Sequence, residues 1–299
     1  MRYVANRITI ILHKMIKDLI ISMRPKQWIK NLFLFAAIIF VKQFTDVEKL
    51  TAVFEAFMIF CFASSAVYLI NDVWDAPYDR RHPQKRSRPI ASGVFPALEA
   101  VFAALVFGAL AIFWSFYINN FFALAVIGYV ALMLMYSFYL KRLVIVDVIV
   151  IALGFVIRVI AGAVAINVRF SEWLILSTFF LALFLAVSKR KNELQHADET
   201  EARAGLGQYS LDLLDQMNTI VLPSTIITYA FYTFSSEHSK LLMITVPIVL
   251  YGLFRYLFLI NTKRWSDDGP TDDLLSDKNL TLTVFIWLAV SAAIILYAG

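Results

Sequence analysis

Long apolar stretches recur along the whole 299-residue chain, and they constrain its fold more than any motif does. Most of them approach the roughly 20 residues that an α-helix needs to cross about 30 Å of hydrocarbon. The period-two alternation that is typical of strands is absent. The sequence therefore predicts an all-α, polytopic membrane protein with nine transmembrane helices. They are expected over residues 31–44, 51–70, 97–117, 120–140, 143–166, 172–188, 217–236, 240–260 and 280–298.

Basic residues predict how these helices are oriented. If the N-terminus is inside, the inner connections contain 21 of the 27 Lys and Arg residues, and the outer ones contain four. By the positive-inside rule, the chain is expected in the inner (plasma) membrane, with a cytoplasmic N-terminus and an external C-terminus. Residues 1–30 should form an interfacial segment, with an amphipathic helix at 8–22. The net charge of +5 follows from this topology, so no nucleic-acid partner is expected.

Cysteine and histidine usage excludes several kinds of site. Cys61 is the only cysteine, and the four histidines lack the spacing of metal ligands. A single chain of this composition cannot build a disulfide or a four-cysteine zinc site. No Gly/Ser linker or low-complexity segment divides the sequence, so residues 1–299 are interpreted as one domain. Its inner loops, 71–93, 141–147 and 188–216, should form a polar cap at the cytoplasmic side.

The polar stretch NDVWDAPYDRRHPQKRSRPIASG, residues 71–93, stands out against the apolar background. Asn71, Asp75 and Asp79 are spaced i, i+4, i+8, so they share one face of a helix, and Asp72 lies beside it. Like charges four residues apart destabilise a helix unless something positive offsets them. Carboxylate and amide oxygens suit Mg²⁺, which is usually bound by one or two carboxylates together with phosphate oxygens. The positive charge could come from a bound cation or from the following basic run, Arg80, Arg81, Lys85, Arg86 and Arg88. A Mg²⁺–diphosphate would satisfy both groups, because the carboxylates would bind the metal and the Lys and Arg side chains the remaining oxygens.

The N-D-x-x-D-x-x-x-D pattern at the inner end of the second apolar stretch resembles the first aspartate-rich motif of the UbiA superfamily of intramembrane prenyltransferases. The resemblance implies a nine-helix bundle that uses Mg²⁺ and a diphosphate substrate. It implies that Asn71, Asp72, Asp75 and Asp79 bind the metal, and that the three aspartates are catalytic.

Further stretches resemble one branch of that superfamily, the decaprenyl-phosphate phosphoribosyltransferases. They are SMRPKQWIKN at 22–31, DRRHPQKRSRPIASG at 79–93, YSFYLKRLVIVDVIVIALGFVIRVIAGA at 136–163 and SKRKNEL at 188–194. Prenyl-diphosphate enzymes usually carry a second D-x-x-x-D motif, whereas Lys189, Arg190 and Glu193 occupy the matching place here. More cation and less carboxylate suits a substrate with an additional phosphate.

This branch implies transfer of 5-phosphoribose from 5-phosphoribosyl 1-diphosphate to a polyprenyl phosphate, with release of diphosphate. A phosphate monoester is largely anionic at neutral pH and needs no general base, which agrees with the lack of a His-containing catalytic constellation. Lys189 and Glu193 are expected to be catalytic together with the aspartates. The expected substrate-binding residues are Lys26, Lys30, Asn71, Lys85, Arg86, Arg88, Tyr136, Lys141, Arg158, Lys189 and Arg190.

Several alternatives stay open at this point. Arg24, Lys26 and Lys30 also suit an interfacial anchor, and Arg158 also suits a buried structural partner of Asp147, which lies 11 residues before it. A second metal at Asp272, Asp273 and Asp277 competes with a solvated loop and a helix cap. The whole chain also fits an aromatic prenyltransferase or, in another class, a transporter. The sequence leaves the length of the polyprenyl chain and a homo-oligomer undecided.

Overall fold

The computed structural model of the chain describes residues 13–169, 171–196, 206–235, 240–262 and 276–297. In these ranges the chain is helical and contains no strand. Residues 13–22, the described part of the predicted interfacial helix, are helical; residues 8–12 of that prediction lie outside the described residues. Numbered in chain order, the α-helices are α1 (Ala36–Phe40), α2 (Val47–Asp79), α3 (Ala97–Ile118), α4 (Asn120–Phe138), α5 (Val146–Ala165), α6 (Glu172–His196), α7 (Leu211–Phe234), α8 (Val246–Thr262) and α9 (Lys278–Tyr297). Short 3₁₀ helices cover Pro25–Phe35, Lys85–Ser87, Leu140–Arg142, Leu206–Gln208 and Lys240–Thr245.

Seven helical segments in the described part of the chain are long and apolar enough to cross a membrane. They are α2, α3, α4, α5, α6, α9 and the segment Lys240–Thr262, which consists of a 3₁₀ helix followed by α8. The chain is thus an integral membrane protein, as the apolar stretches predict. The two predicted spans that are not among the seven are residues 31–44 and 217–236.

The first predicted span does not form one regular α-helix. Residues Pro25–Phe35 are a 3₁₀ helix, and α1 adds only five residues of α-helix. The backbone here lies against α5, because a Cβ placed on Gly162 would be 2.0 Å from the carbonyl oxygen of Leu34. A small residue is what permits such a close approach between helical segments in a membrane protein.

Residues 217–234 of the predicted span at 217–236 lie within α7, which begins at Leu211 and ends at Phe234. The Ser210 side chain accepts a hydrogen bond from the Leu213 backbone N–H at 3.1 Å and so caps the helix. The first turns of α7 carry Asp212 and Asp215. These charges shorten the apolar part of the helix and explain why its length exceeds that of the predicted span.

Two of the predicted inner connections, 71–93 and 188–216, begin as helix, as the i, i+4, i+8 spacing of Asn71, Asp75 and Asp79 assumes for the first of them. The 33-residue helix α2 continues to Asp79, and α6 continues to His196. At 1.5 Å per residue, α2 extends for roughly 50 Å, well beyond the thickness of the hydrocarbon. The polar residues of 71–79 and 188–196 therefore keep a helical register, and this register decides which of them share a face.

Contacts within the chain divide it into two compact units. The first comprises residues 1–32 and 54–139, and its core packs small residues of α2, such as Ala66, against Ala100 and Ala104 of α3. The second comprises residues 33–53 and 140–299, where α6 packs most extensively against α7 and next against α5. The acidic motif belongs to the first unit, and the segment 188–194 belongs to the second.

Candidate active site

The acidic motif at 71–79 lies in the last turns of α2. Asp72 is 4% exposed and Asp79 is 6% exposed, whereas Asn71 and Asp75 are half-buried. Because α2 stays helical to Asp79, the i, i+4, i+8 spacing places Asn71, Asp75 and Asp79 along one side of the helix. Two carboxylates of the motif are removed from water, so positive partners are required to compensate them.

Arg24 is one of these partners. Its guanidinium forms an ion pair with the buried carboxylate of Asp72 and lies 5.1 Å from the centre of the Tyr68 ring. The backbone at Arg24 has φ +55°, which is uncommon for a residue with a side chain. Burial lowers the pKa of Arg24, but the charge of Asp72, assisted by Tyr68 and Asp79, outweighs it and raises the pKa above its ordinary value. Arg24 therefore stays a cation beside the motif.

Arg88 is the second partner and follows the short 3₁₀ helix Lys85–Ser87. Its guanidinium donates to Asp79 at 2.7 Å and lies 3.6 Å from Asp72. The expectation that the basic run offsets the acidic motif is therefore confirmed at Arg88. Within the rest of the run, Lys85 is half-buried and Arg86 is exposed.

The oxygens of the acidic motif suit Mg²⁺ only in combination with other ligands. In the described residues, no three His, Cys, Asp or Glu side chains come close enough together to form a metal site by themselves. Mg²⁺ usually keeps few protein carboxylates and takes its other oxygens from phosphate or water. Two buried aspartates with a third carboxylate and an amide next to them fit an ion of this kind, which would arrive together with a diphosphate. They do not fit a cage made by the protein alone.

A second charged cluster lies in the second unit, at the end of α6. Arg190, 3% exposed, donates through Nε to Asp147 Oδ2 at 2.7 Å and through a terminal nitrogen to Glu193. Lys189 Nζ lies 3.8 Å from the other oxygen of Glu193. The structure thus brings together the three residues that stand in place of the second acidic motif. Arg190 forms ion pairs with both Asp147 and Glu193, so its guanidinium is suited to holding these two carboxylates in place.

Tyr209 belongs to this second cluster and is not apparent from the sequence. The hydroxyl of Tyr209 donates to Asp147 Oδ1 at 2.7 Å and accepts from the backbone N–H of Ile145 at 2.6 Å. Burial and the hydrogen bond to Asp147 raise the pKa of Tyr209, although the Ile145 N–H lowers it. Tyr209 is 62 residues from Asp147, and no local pattern indicates this contact.

Lys191 holds three helices of the second unit together. Its ammonium donates to Asp215 at 2.5 Å on α7 and to Asn261 at 2.8 Å on α8. Lys191 itself is 6% exposed. Lys191 therefore makes contacts that join helices.

The other predicted site residues differ in their burial. Arg158 is 4% exposed on α5, where it donates to the Gly154 carbonyl at 2.9 Å and lies 5.3 Å from the centre of the Phe155 ring. Asp147 shares α5 with Arg158 but pairs with Arg190. Among the remaining predicted residues, Lys141 is buried, Lys30 and Tyr136 are half-buried, and Lys26 is exposed.

The third acidic group, predicted as either a metal site or a helix cap, is partly described. Asp277 accepts from Arg255 at 2.8 Å and from the backbone N–H of Leu280 at 2.9 Å. Asp277 therefore caps the first turn of α9, in agreement with the predicted helix cap. Asp272 and Asp273 lie outside the described residues.

The chain resembles known proteins over most of its length. The model of the UbiA prenyltransferase family matches residues 31–288. The chain is 33% identical to the decaprenyl-phosphate phosphoribosyltransferase of Mycolicibacterium smegmatis over 301 residues, which cover 95% of this chain and 94% of that protein. It is 36% identical to the protein of the same name from Corynebacterium glutamicum over 280 residues, covering 89% of this chain and 83% of that one.

A solved structure has the same fold. The UbiA homolog from Archaeoglobus fulgidus bound to GPP and Mg²⁺ superimposes with a TM-score of 0.71. The match covers 93% of this chain and 99% of the archaeal chain, at 21% identity. At this identity the likeness applies to the fold, and the helices of the described residues agree with it.

Proposed function

Because the chain belongs to the UbiA prenyltransferase family, we propose that it transfers 5-phosphoribose from 5-phosphoribosyl 1-diphosphate to a polyprenyl phosphate in the membrane. The observation that carries the proposal is the resemblance, over nearly the full length, to proteins named decaprenyl-phosphate phosphoribosyltransferase. Membership of this enzyme family also favours an enzyme over a transporter, the alternative that the sequence left open.

The reaction replaces one bond at C1 of the ribose with another. The bond from C1 to the diphosphate oxygen breaks, and the diphosphate leaves with the electron pair. A phosphate oxygen of the lipid attacks C1 from the opposite side, so the configuration at C1 inverts. The lipid phosphate is already an anion at neutral pH, and no proton has to be removed from it. Catalysis then depends on positioning and on stabilisation of charge.

The acidic motif of α2 is proposed to hold the diphosphate end of the substrate. Asn71, Asp72, Asp75 and Asp79 are the proposed ligands, of which one or two at a time would bind Mg²⁺ together with diphosphate oxygens. Bound Mg²⁺ would neutralise the charge that develops on the leaving diphosphate. Arg24 and Arg88 are cations already directed at two of these carboxylates, and they supply positive charge at the same place.

The cluster at the end of α6 stands where prenyl-diphosphate enzymes usually carry a second acidic motif, and it is proposed to supply positive charge there. Lys189 is half-buried and near Glu193, and it is the candidate for contact with a substrate phosphate. Arg190 holds Glu193 and Asp147. We retain Lys26, Lys30, Lys141, Arg158 and Tyr136 as candidates for substrate contact, with Lys85 and Arg86 of the basic run.

The proposal extends to the arrangement in the membrane. We propose one domain with nine crossings, in which residues 31–44 and 217–236 provide the two that are additional to the seven apolar segments. The N-terminus and both charged clusters would be cytoplasmic, in a polar cap, and the C-terminus would be external. The excess of Lys and Arg in the inner connections supports this orientation.

The decisive experiment is a transfer assay with membranes that contain the full chain. They are incubated with Mg²⁺, a polyprenyl phosphate and radiolabelled 5-phosphoribosyl 1-diphosphate, and the lipid phase is extracted. We expect label in the lipid phase, and its loss with EDTA or in Asp75→Asn. Glu48→Gln is the matched control, because Glu48 is an exposed acid near the other end of the same helix.

The opposite outcome distinguishes the closest alternative. If the label stays aqueous while the same membranes attach a prenyl group from prenyl diphosphate to an aromatic acid such as 4-hydroxybenzoate, the chain is a prenyltransferase of the family and the phosphoribosyl proposal is wrong. That chemistry usually uses a second acidic motif, where this chain has Lys189, Arg190 and Glu193.

A further inference from the structure

Tyr209 joins two segments of the second unit through a single buried hydroxyl. Tyr209 is 5% exposed. Its hydroxyl oxygen accepts a hydrogen bond from the Ile145 N–H at 2.6 Å, and its O–H donates a hydrogen bond to Asp147 Oδ1 at 2.7 Å. A phenol has one proton to donate, and its oxygen can accept. Both capacities are used here. Ile145 lies in the turn between Leu140–Arg142 and α5, and Asp147 lies in the first turn of α5.

The backbone of this turn is in an unusual conformation. Ile145 has φ +71° and ψ −46°, and a β-branched residue rarely adopts a positive φ. Such conformations persist where the surrounding structure holds them, and they cluster at functional sites. The Tyr209 hydroxyl holds the peptide N–H of this residue, so it is a direct restraint on the strained turn.

The restraint continues to the charged cluster at the end of α6. Asp147 receives Tyr209 on one oxygen and Arg190 on the other, and Arg190 in turn donates to Glu193. Asp147 and Arg190 are 4% and 3% exposed, so little water competes for these contacts. Hydrogen bonds of this charged and buried kind are stronger than neutral ones. The orientation of Glu193 and its neighbour Lys189 thus depends on a chain of contacts that begins at Tyr209.

We propose that Tyr209 is a positioning residue: it fixes the turn at Ile145 and, through Asp147 and Arg190, sets the orientation of Lys189 and Glu193. This inference rests on the proposed function, because it assumes that Lys189 and Glu193 face the substrate. Tyr209 has no proton-transfer role in it. The lipid phosphate needs no base, and the raised pKa keeps the phenol protonated.

Tyr209→Phe tests the proposal, because it removes the hydroxyl and keeps the ring. Loss of one hydrogen bond should speed amide exchange at Ile145 on the order of ten-fold, measured by hydrogen–deuterium exchange of overlapping peptides in detergent. Misplacement of Lys189 and Glu193 should lower kcat about ten- to hundred-fold, while the KM for polyprenyl phosphate changes less than about two-fold. Tyr232→Phe is the matched control, since Tyr232 is also 5% exposed but packs against Phe40.

A second variant separates the steps of the chain of contacts. Asp147→Asn removes an acceptor from Arg190 but leaves the Tyr209–Ile145 contact. We expect exchange at Ile145 close to that of the wild type, and a kcat lowered as in Tyr209→Phe. This variant also decides the proposal if Tyr209→Phe does not fold.

The remaining outcomes each decide one point. Unchanged exchange at Ile145 in Tyr209→Phe overturns the contact, and faster exchange with unchanged kcat overturns the positioning role. A wild-type chain that transfers no phosphoribose overturns the proposed function instead. In that case the exchange comparison decides the Tyr209 restraint by itself: faster exchange in Tyr209→Phe supports it, and equal exchange rejects it.

Discussion

Arg88 donates to Asp79 at 2.7 Å and lies 3.6 Å from Asp72, so one guanidinium faces two carboxylates that are almost fully buried. Arg24 approaches Asp72 from a different part of the chain. The acidic end of α2 is therefore compensated within the protein before any substrate binds. Substrate and metal would have to share these carboxylates with the arginines, or replace them.

Removal of the Arg88 charge should destabilise the folded protein. In Arg88→Gln, Asp79 loses its charged donor, and the cost should be about 1–3 kcal/mol because the carboxylate stays buried. The measurement is the midpoint of thermal unfolding in detergent. Arg86→Gln provides the control, since Arg86 is exposed two residues earlier, and it should leave the midpoint nearly unchanged. Equal midpoints for the two variants would refute a stabilising role for Arg88.

The acids of the motif should differ in what their loss does. Asp72→Asn removes a buried charge that faces Arg24 and Arg88, so we expect it to lower both transfer activity and the unfolding midpoint. Asp75 is half-buried, and Asp75→Asn should abolish transfer with a smaller effect on the midpoint. Transfer of labelled phosphoribose and thermal unfolding, measured on the same preparations, check this. An Asp75→Asn variant with normal activity would refute the proposed role of Asp75 in the transfer reaction.

Hydrophobicity alone predicts the bounds of some helices closely. The apolar stretch at 97–117 corresponds to Ala97–Ile118, and that at 280–298 to Lys278–Tyr297. In both cases the run of apolar residues coincides with the helix. At 31–44, apolarity does not distinguish a 3₁₀ helix packed tightly on α5 from a regular α-helix.

The site could be predicted only in its local part. The i, i+4 spacing from Asp75 to Asp79 is visible in the sequence because a helix places such residues on one face. The pairs Arg24–Asp72 and Tyr209–Asp147 are separated by 48 and 62 residues, and they depend on how distant segments pack. No periodicity contains that information.

Gly162 should not tolerate even one additional methyl group. A Cβ at this position would be 2.0 Å from the Leu34 carbonyl oxygen, which is backbone and cannot rotate away. Gly162→Ala should therefore lower stability by at least about 2–3 kcal/mol. Gly128→Ala on α4 is the control, because nothing lies within 4 Å of its Cβ, and alanine should be neutral or stabilise the helix slightly. Unfolding midpoints of both variants in detergent test the difference.

Two lysines separated by one residue should have different roles. Lys191→Met removes the contacts with Asp215 and Asn261 and should lower stability by about 1 kcal/mol, a modest amount because Asp215 is 54% exposed. Lys189→Met should reduce phosphoribosyl transfer strongly and leave the unfolding midpoint nearly unchanged. Each variant is the control for the other. The opposite pattern, with stability lost at Lys189 and activity lost at Lys191, would contradict both assignments.

Tyr209 should make the stability of the protein depend on pH in the alkaline range. The pKa of Tyr209 is raised in the folded state by burial and by the hydrogen bond to Asp147, whereas an unfolded tyrosine has a pKa of about 10. The folded state therefore retains the proton longer, and the contribution of Tyr209 is complete below about pH 10 and declines as the pH rises further. The wild type should unfold at a higher temperature than Tyr209→Phe up to that pH, and the difference should shrink above it. A difference that stays constant to higher pH would show that the Tyr209 proton does not contribute to folding.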